Sequence, residues 1–122
     1  MRINIKATDI ELTPDVRRYL EKKLKHVEKK LIDPKDTSAF CNVEVGKTTE
    51  HHQHGEVFRA EFNLHIAGEF VRTEAEKIDL YAAIDEAQEE LFRTLRAREN
   101  KKRWLTRRWG AKLKKLLHKF WR

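Results

Sequence analysis

The sequence predicts an α+β fold of order β-α-β-β-β-α, a four-stranded sheet with two helices packed on one face, followed by a basic C-terminal tail. Three observations predict it. Four stretches alternate apolar and polar residues with period two, the signature of half-buried strands. Two stretches repeat apolar residues at three- and four-residue steps, the signature of one-sided helices. Helices with a single apolar stripe bury it, and the sheet supplies the surface.

Ile3, Ile5 and Ala7 alternate with Arg2, Asn4, Lys6 and Thr8, giving the first strand. Thr13-Pro14-Asp15 starts a helix: Thr13 suits the N-cap, Pro14 the first helical position, and Asp15 the positive end of the dipole. Val16, Leu20, Leu24, Val27 and Leu31 make its apolar face, and Asp33-Pro34 ends it.

Ala39, Cys41, Val43 and Val45 share one face of the next strand. After a polar tip from Lys47 to Gly55, Phe58, Ala60, Phe62, Leu64 and Ile66 alternate again. A short turn at Ala67-Gly68-Glu69 leads to Val71, Thr73 and Ala75, so these three strands read as a meander of hairpins. Strands of about ten residues exceed the usual length, so bulges are expected. Asn42, Glu44, Arg59, Glu61 and Asn63 leave the other sheet face wet. A second helix begins near Asp79, an N-cap candidate, with Leu80, Ala83, Ile84, Ala87, Leu91 and Leu95 as its core stripe.

Length and composition bound the rest. The 122 residues allow one domain, residues 1–100, with residues 101–122 as an appendage. A single cysteine, Cys41, excludes an internal disulfide framework and fits a cytoplasmic protein. The N-terminus has no apolar signal region, and no run of about 18 apolar residues exists.

Charge is divided unevenly. Residues 93–122 hold 13 of the 27 Lys and Arg against one acid, Glu99, a net +12. Residues 1–92 hold 14 bases against 19 acids, a net −5, and together they give the overall +7. An acidic body with a basic end points to a polyanionic partner: RNA, DNA or anionic lipid.

Arg18, Lys22, Lys25 and Lys29 fall at i, i+4, i+7 and i+11, one ridge on the outer side of the first helix. An ordinary solvated helix face is the bland alternative, but such faces mix signs, and here Glu21 and Glu28 lie to the side. The second helix runs from Glu86, Glu89 and Glu90 to Arg93, Arg96 and Arg98. The helix dipole favours that order, yet it does not require the continuation through Lys101, Lys102 and Arg103.

Beyond Asn100, Leu105, Trp109, Leu113, Leu116 and Phe120 step at helical spacing, with Trp104, Arg107 and Arg108 among the bases. Gly110 weakens this helix by about 1 kcal/mol. The expectation is a segment disordered alone and helical on its partner. An anionic membrane, a protein groove and RNA, with Trp stacking on bases, are all open readings.

His51, His52 and His54 resemble metal ligands, but structural zinc wants four ligands and Cys41 has no partner cysteine, so hairpin-tip polarity explains them and no metal is expected. There is no Gly-rich phosphate loop, G-x-S-x-G or H-E-x-x-H, so neither an enzyme nor a cofactor is expected. Cys41 lies on the apolar side of its strand and reads as buried filler.

Two stretches resemble a known family. Glu11-Leu12-Thr13-Pro14-Asp15-Val16-Arg17, continuing through Leu20, Lys23, Leu24 and Glu28, resembles the first helix of the ribosome hibernation promoting factors and ribosome-associated inhibitor A. Asp79-Leu80-Tyr81-Ala82-Ala83-Ile84-Asp85, then Leu91, Arg93 and Leu95, is similar to their second helix and is the more specific match. The opening M-x-[IL]-N-I also fits, and the resemblance covers about residues 1–100.

The resemblance implies a non-enzymatic factor of the small ribosomal subunit and its rRNA. Such a factor occupies the channel of mRNA and tRNA, inhibits translation, and protects idle ribosomes under stress. It implies RNA contacts by Arg17, Lys22, Lys23, Lys25 and Lys29 on the first helix and by Arg93, Arg96 and Arg98 on the second. Relatives often carry lysines where this chain has Glu90 and Ala97. Long members add a C-terminal domain that pairs ribosomes, whereas this chain looks like a short form with a basic, Trp-rich end of its own.

Two rivals remain. A double-stranded RNA-binding module would carry lysines at the start of its last helix, where this chain has Glu76-Lys77-Ile78-Asp79. A membrane-surface protein anchored through residues 104–121 would sediment with anionic vesicles rather than ribosomes.

Overall fold

The N-terminal strand has to pair with a neighbour, and the polar–apolar alternation along the chain settles which side of it faces the core. A computed structural model of the chain describes residues 1–48 and 55–120. Its elements are β1 (Arg2–Thr8), α1 (Pro14–Leu31), β2 (Phe40–Thr48), β3 (Val57–Ile66), β4 (Glu69–Lys77) and α2 (Leu80–Phe120). The sheet order is β1-β2-β3-β4, with β1 parallel to β2 and the other pairs antiparallel. A parallel pair needs a crossover, and α1 is that crossover.

The register lines up the apolar sets. Ile3, Cys41, Leu64 and Val71 form one row across the sheet, and Ile5, Val43, Phe62 and Thr73 the next. Ala7, Val45, Ala60 and Ala75 form a third. These rows join Val16, Leu20, Leu24 and Val27 of α1 and Ala83, Ile84, Ala87, Leu91 and Leu95 of α2 in one core. Thr73 is the polar member of that side, and its hydroxyl donates to the Ala87 carbonyl at 2.9 Å, satisfying a buried polar group.

Caps form where the residue types call for them. The Val16 N–H donates to Thr13 Oγ1 at 3.2 Å, with Pro14 inside the first turn. The Ala82 N–H donates to Asp79 Oδ2 at 3.2 Å. Ala67 and Gly68 both have positive φ, 45° and 76°, and form a two-residue hairpin loop between the paired Ile66 and Glu69. Gly46 lies against β1: an added Cβ would stand 2.4 Å from the Thr8 carbonyl oxygen, so only glycine lets the two strands approach there.

Two expectations need correction. No bulge interrupts the strands among the described residues: β2–β3 and β3–β4 keep one register from end to end. The alternation in β3 is unbroken from Phe58 to Ile66, and a bulge would turn every later residue to the wrong face. Nor is the chain after Asn100 irregular. It continues α2 to Phe120, giving one helix of 41 residues, about 60 Å long. Lys, Arg, Leu and Ala favour helix, and the added turns are tied at their root. Glu69 meets Arg98 at 3.7 Å and Lys102 at 3.2 Å, and Glu99 meets Arg103 at 3.0 Å. Among the described residues, the last core residue of α2 is Leu95, and every residue from Asn100 to Arg108 is exposed.

Candidate nucleic-acid interface

The helical side carries the cations because the apolar stripe of each helix faces the sheet and its polar stripe faces out. On α1, Arg17, Arg18, Lys22, Lys25 and Lys29 are exposed. On α2, Arg93, Arg96 and Arg98 are exposed, and so is every residue from Lys101 to Arg108.

Their pairing states differ. Arg18 forms an ion pair with Asp15, and both are well exposed, so the pair contributes little and exchanges readily. Arg98, Lys102 and Arg103 meet Glu69 or Glu99. Arg96 lies over the Phe92 ring at 5.4 Å and Arg108 over Trp104 at 5.1 Å. Among the described residues, Arg17, Lys22, Lys25, Lys29, Arg93, Lys101 and Arg107 have no ion-pair partner. These uncompensated cations span both helices.

Lys23 is placed differently. It is half-buried, its Nζ lies 3.0 Å from Asp85 Oδ1, and it covers the Tyr19 ring at 5.4 Å. The Tyr19 hydroxyl donates to the same Asp85 oxygen. Tyr19 and Tyr81 meet edge to face at 4.9 Å. This cluster joins α1 to α2. Partial burial raises the Asp85 pKa, but hydrogen bonds from Tyr19 and Lys23 and the Lys23 charge leave it below the ordinary aspartate value. The Asp85 hydrogen bond is also the main reason that Lys23 and Tyr19 sit above theirs. Lys23 therefore bridges the two helices at their surface.

A groove of about 740 Å³ opens between α1 and α2, lined by Tyr19, Lys22, Lys23, His26, Gln88, Glu89, Phe92 and Arg93. His26 lies flat on Phe92, with ring centroids 5.4 Å apart and planes 18° apart. A second cleft of about 430 Å³ holds Lys29, Lys30, Arg98 and Lys102 beside Asp33, Glu69 and Glu99. His26, Gln88, Phe92 and the exposed Lys30 were not singled out by sequence reasoning. His26 was accessible to it, four residues after Lys22 within the ridge. Gln88 gives no sequence signal, because only the tertiary fold shows what faces it.

Other candidates are excluded or fall elsewhere. Burial pushes the Cys41 thiol up to about 12, so it is no nucleophile. His51, His52 and His54 lie outside the described residues, and no group of three metal-ligating side chains occurs among those described. No helix of the described chain is long and apolar enough to cross a membrane. Trp104 and Leu105 are exposed on the helix surface.

Residues 3–103 match the model of the family described as Sigma 54 modulation protein / S30EA ribosomal protein. The chain belongs to this family. It is 32% identical over 105 residues to the ribosome hibernation promoting factor of Pseudomonas putida, covering 86% of this chain and 93% of that protein. It is 29% identical over 92 residues to the ribosome hibernation promotion factor of Deinococcus radiodurans, covering 75% of this chain but only 46% of that longer protein. The crystal structure of the Thermus thermophilus Protein Y N-terminal domain superposes with a TM-score of 0.65 at 30% identity, covering 78% of this chain and 96% of that domain. That fold is the β-α-β-β-β-α arrangement described above. The family match ends near the root of the projecting helix, so much of the basic arm lies beyond the shared region.

Proposed function

We propose that this chain is a ribosome hibernation factor. It binds the small ribosomal subunit through rRNA, occupies the channel used by mRNA and tRNA, and silences and preserves idle ribosomes under stress. Residues 1–100 are the ribosome-binding domain, and residues 101–122 are a basic extension that adds affinity. The observation that carries the reading is the set of cations without an ion-pair partner among the described residues, Arg17, Lys22, Lys25, Lys29 and Arg93, on the outer faces of two helices bridged by the Lys23–Asp85 pair. The names of its relatives support the ribosome as partner.

The chemistry is counterion release. Cations that neutralise phosphates displace condensed ions, so affinity falls steeply with salt. Phosphate contacts of this kind position a protein without reading sequence. No bond is made or broken, and inhibition follows from occupying space.

Co-sedimentation with 30S subunits and 70S ribosomes on sucrose gradients, at low and high salt, tests the reading. Migration with the small subunit at low salt, lost at high salt and reduced by excess mRNA and tRNA, is expected. Protein remaining at the top of a low-salt gradient overturns it. Exposed Trp104 and Leu105, set among cations, favour a second reading in which the arm lies on anionic membrane. Sedimentation with anionic vesicles in place of ribosomes would establish that alternative.

A further inference from the structure

The groove between α1 and α2 holds features that phosphate binding does not use. Gln88 is only 6% exposed, lines the groove, and has no hydrogen-bond partner among the described residues. A buried carboxamide without partners is unfavourable, and such groups are normally satisfied. It is not sealed in, either. The one fully enclosed side-chain polar atom without a partner among the described residues is Thr48 Oγ1, so the Gln88 amide keeps its opening to the groove. It offers both a donor and an acceptor.

Beside it stands a preformed aromatic platform. His26 is exposed yet held parallel to Phe92, and Arg96 covers the Phe92 ring at 5.4 Å. Three cations line the same groove. Lys23 is engaged by Asp85, which leaves Lys22 and Arg93 against one acid, Glu89. A volume of about 740 Å³ is in the range of small-ligand pockets.

We propose that this groove receives a single unstacked RNA nucleotide. Its base stacks on His26, its edge meets the Gln88 amide, and its flanking phosphates fall to Lys22 and Arg93. Splayed bases held between an aromatic face and a hydrogen-bonding side chain are the usual form of single-stranded RNA recognition. An acidic peptide would satisfy the cations but leave the flat imidazole and the two-way amide unused. The inference rests on the reading that this side of the molecule meets RNA, and it adds a position where a base is held rather than only a backbone.

Two measurements on the full chain test it and separate its failure from that of the wider reading. In the first, amide and side-chain NMR spectra are followed during titration with adenosine, guanosine, cytidine and uridine 5′-monophosphates, with inorganic phosphate as control. At least one nucleotide is expected to shift the Gln88 side-chain NH₂ and the His26 ring, which inorganic phosphate leaves in place. In the second, the dissociation constant for 30S subunits is measured for His26→Ala, His26→Phe and Gln88→Leu. Loss of stacking weakens binding by roughly ten-fold in His26→Ala, and His26→Phe restores it. Gln88→Leu weakens it similarly, and the salt slope stays that of the wild type in each.

Thermal unfolding of each variant shows that the fold persists, and the exposed His26 carries the test if Gln88→Leu does not fold. Wild-type affinity in both His26→Ala and Gln88→Leu, with ribosome binding otherwise intact, overturns the nucleotide site while the wider reading stands. Failure of all four nucleotides to move His26 and Gln88 also overturns it. Nucleotide-dependent shifts in a protein that does not bind ribosomes would support the site and remove the ribosome as its partner.

Discussion

The two broad surfaces of this domain carry similar kinds of side chain and treat them in opposite ways. The open face of the sheet has Arg2, Lys6, Arg59 and Arg72 against Glu44, Glu61, Glu74 and Glu76, and its net charge is zero. Its ions hold one another. Glu61, buried at 6% exposure, accepts from Arg59 at 2.6 Å and from Arg72 at 2.7 Å, and Arg59 also reaches Glu74. Glu74 is held below the ordinary glutamate range, chiefly by the Arg59 hydrogen bond. The helical face has no such network over Arg17, Lys22, Lys25, Lys29 and Arg93 among the described residues. Abundance of charge is thus common to both surfaces. Charge left without an internal counterion among the described residues separates them, and the proposed interface rests on it.

The largest effect that would break this comparison lies on the helices. Lys22→Glu with Lys25→Glu removes two exposed cations that have no ion-pair partner among the described residues, so folding is unaffected, and ribosome affinity falls by about a hundred-fold or more. Wild-type binding in a sedimentation assay would show that the ridge is only solvated. On the sheet the reverse is expected. Glu61→Gln strips the central acceptor from two arginines and destabilises the domain by about 2 kcal/mol in denaturant unfolding. Ribosome affinity of the folded fraction stays within about two-fold, and a large binding loss there would mean that the sheet also meets the partner.

Deleting residues 104–122 sharpens the contrast within α2 itself. Among the described residues the core stripe ends at Leu95, so the melting temperature of the body is expected to be retained while binding weakens and its salt slope flattens. An unchanged slope would remove the arm from the interface. The smallest effect concerns pH. The Asp85 pKa is depressed, so its contribution is intact above about pH 4 and lost as pH falls through the lower folded value. The Lys23 and Tyr19 values are raised, so their contribution is intact below about pH 10 and lost as pH rises through the folded values. These groups are partly exposed, so Asp85→Asn lowers stability by only about 0.5–1 kcal/mol near neutrality and flattens both limbs of the stability profile.

Local chemistry was legible in the sequence wherever a residue acts on its own neighbourhood. Thr13 and Asp79 cap the helices they precede, and the period-two sets fall on one side of the sheet without exception. What was not legible depends on chain segments far apart. Glu61 alternates like any solvent-facing residue, yet two arginines close over it. Lys23 stands in the sequence as an RNA contact that the family resemblance implies, and its pairing with Asp85 shows only when the other helix is brought against it. The parallel pairing of β1 with β2 has no local signal, and Gly46 becomes meaningful only when Thr8 is its neighbour. The helical spacing after Asn100 was legible, but its continuity with α2 was not, because Glu69 of β4, which meets Arg98 and Lys102, is distant in the sequence.

That continuation has a mechanical consequence. From Leu95 to Phe120 the backbone extends by about 37 Å without a joint, and its heading is inherited from the hydrophobic seat of Ile84, Ala87 and Leu91 rather than from any flexible link. A rod of this kind does not sample directions as a loose chain does, and a one-residue insertion near Asn100 would swing every later side chain by about 100° around the axis.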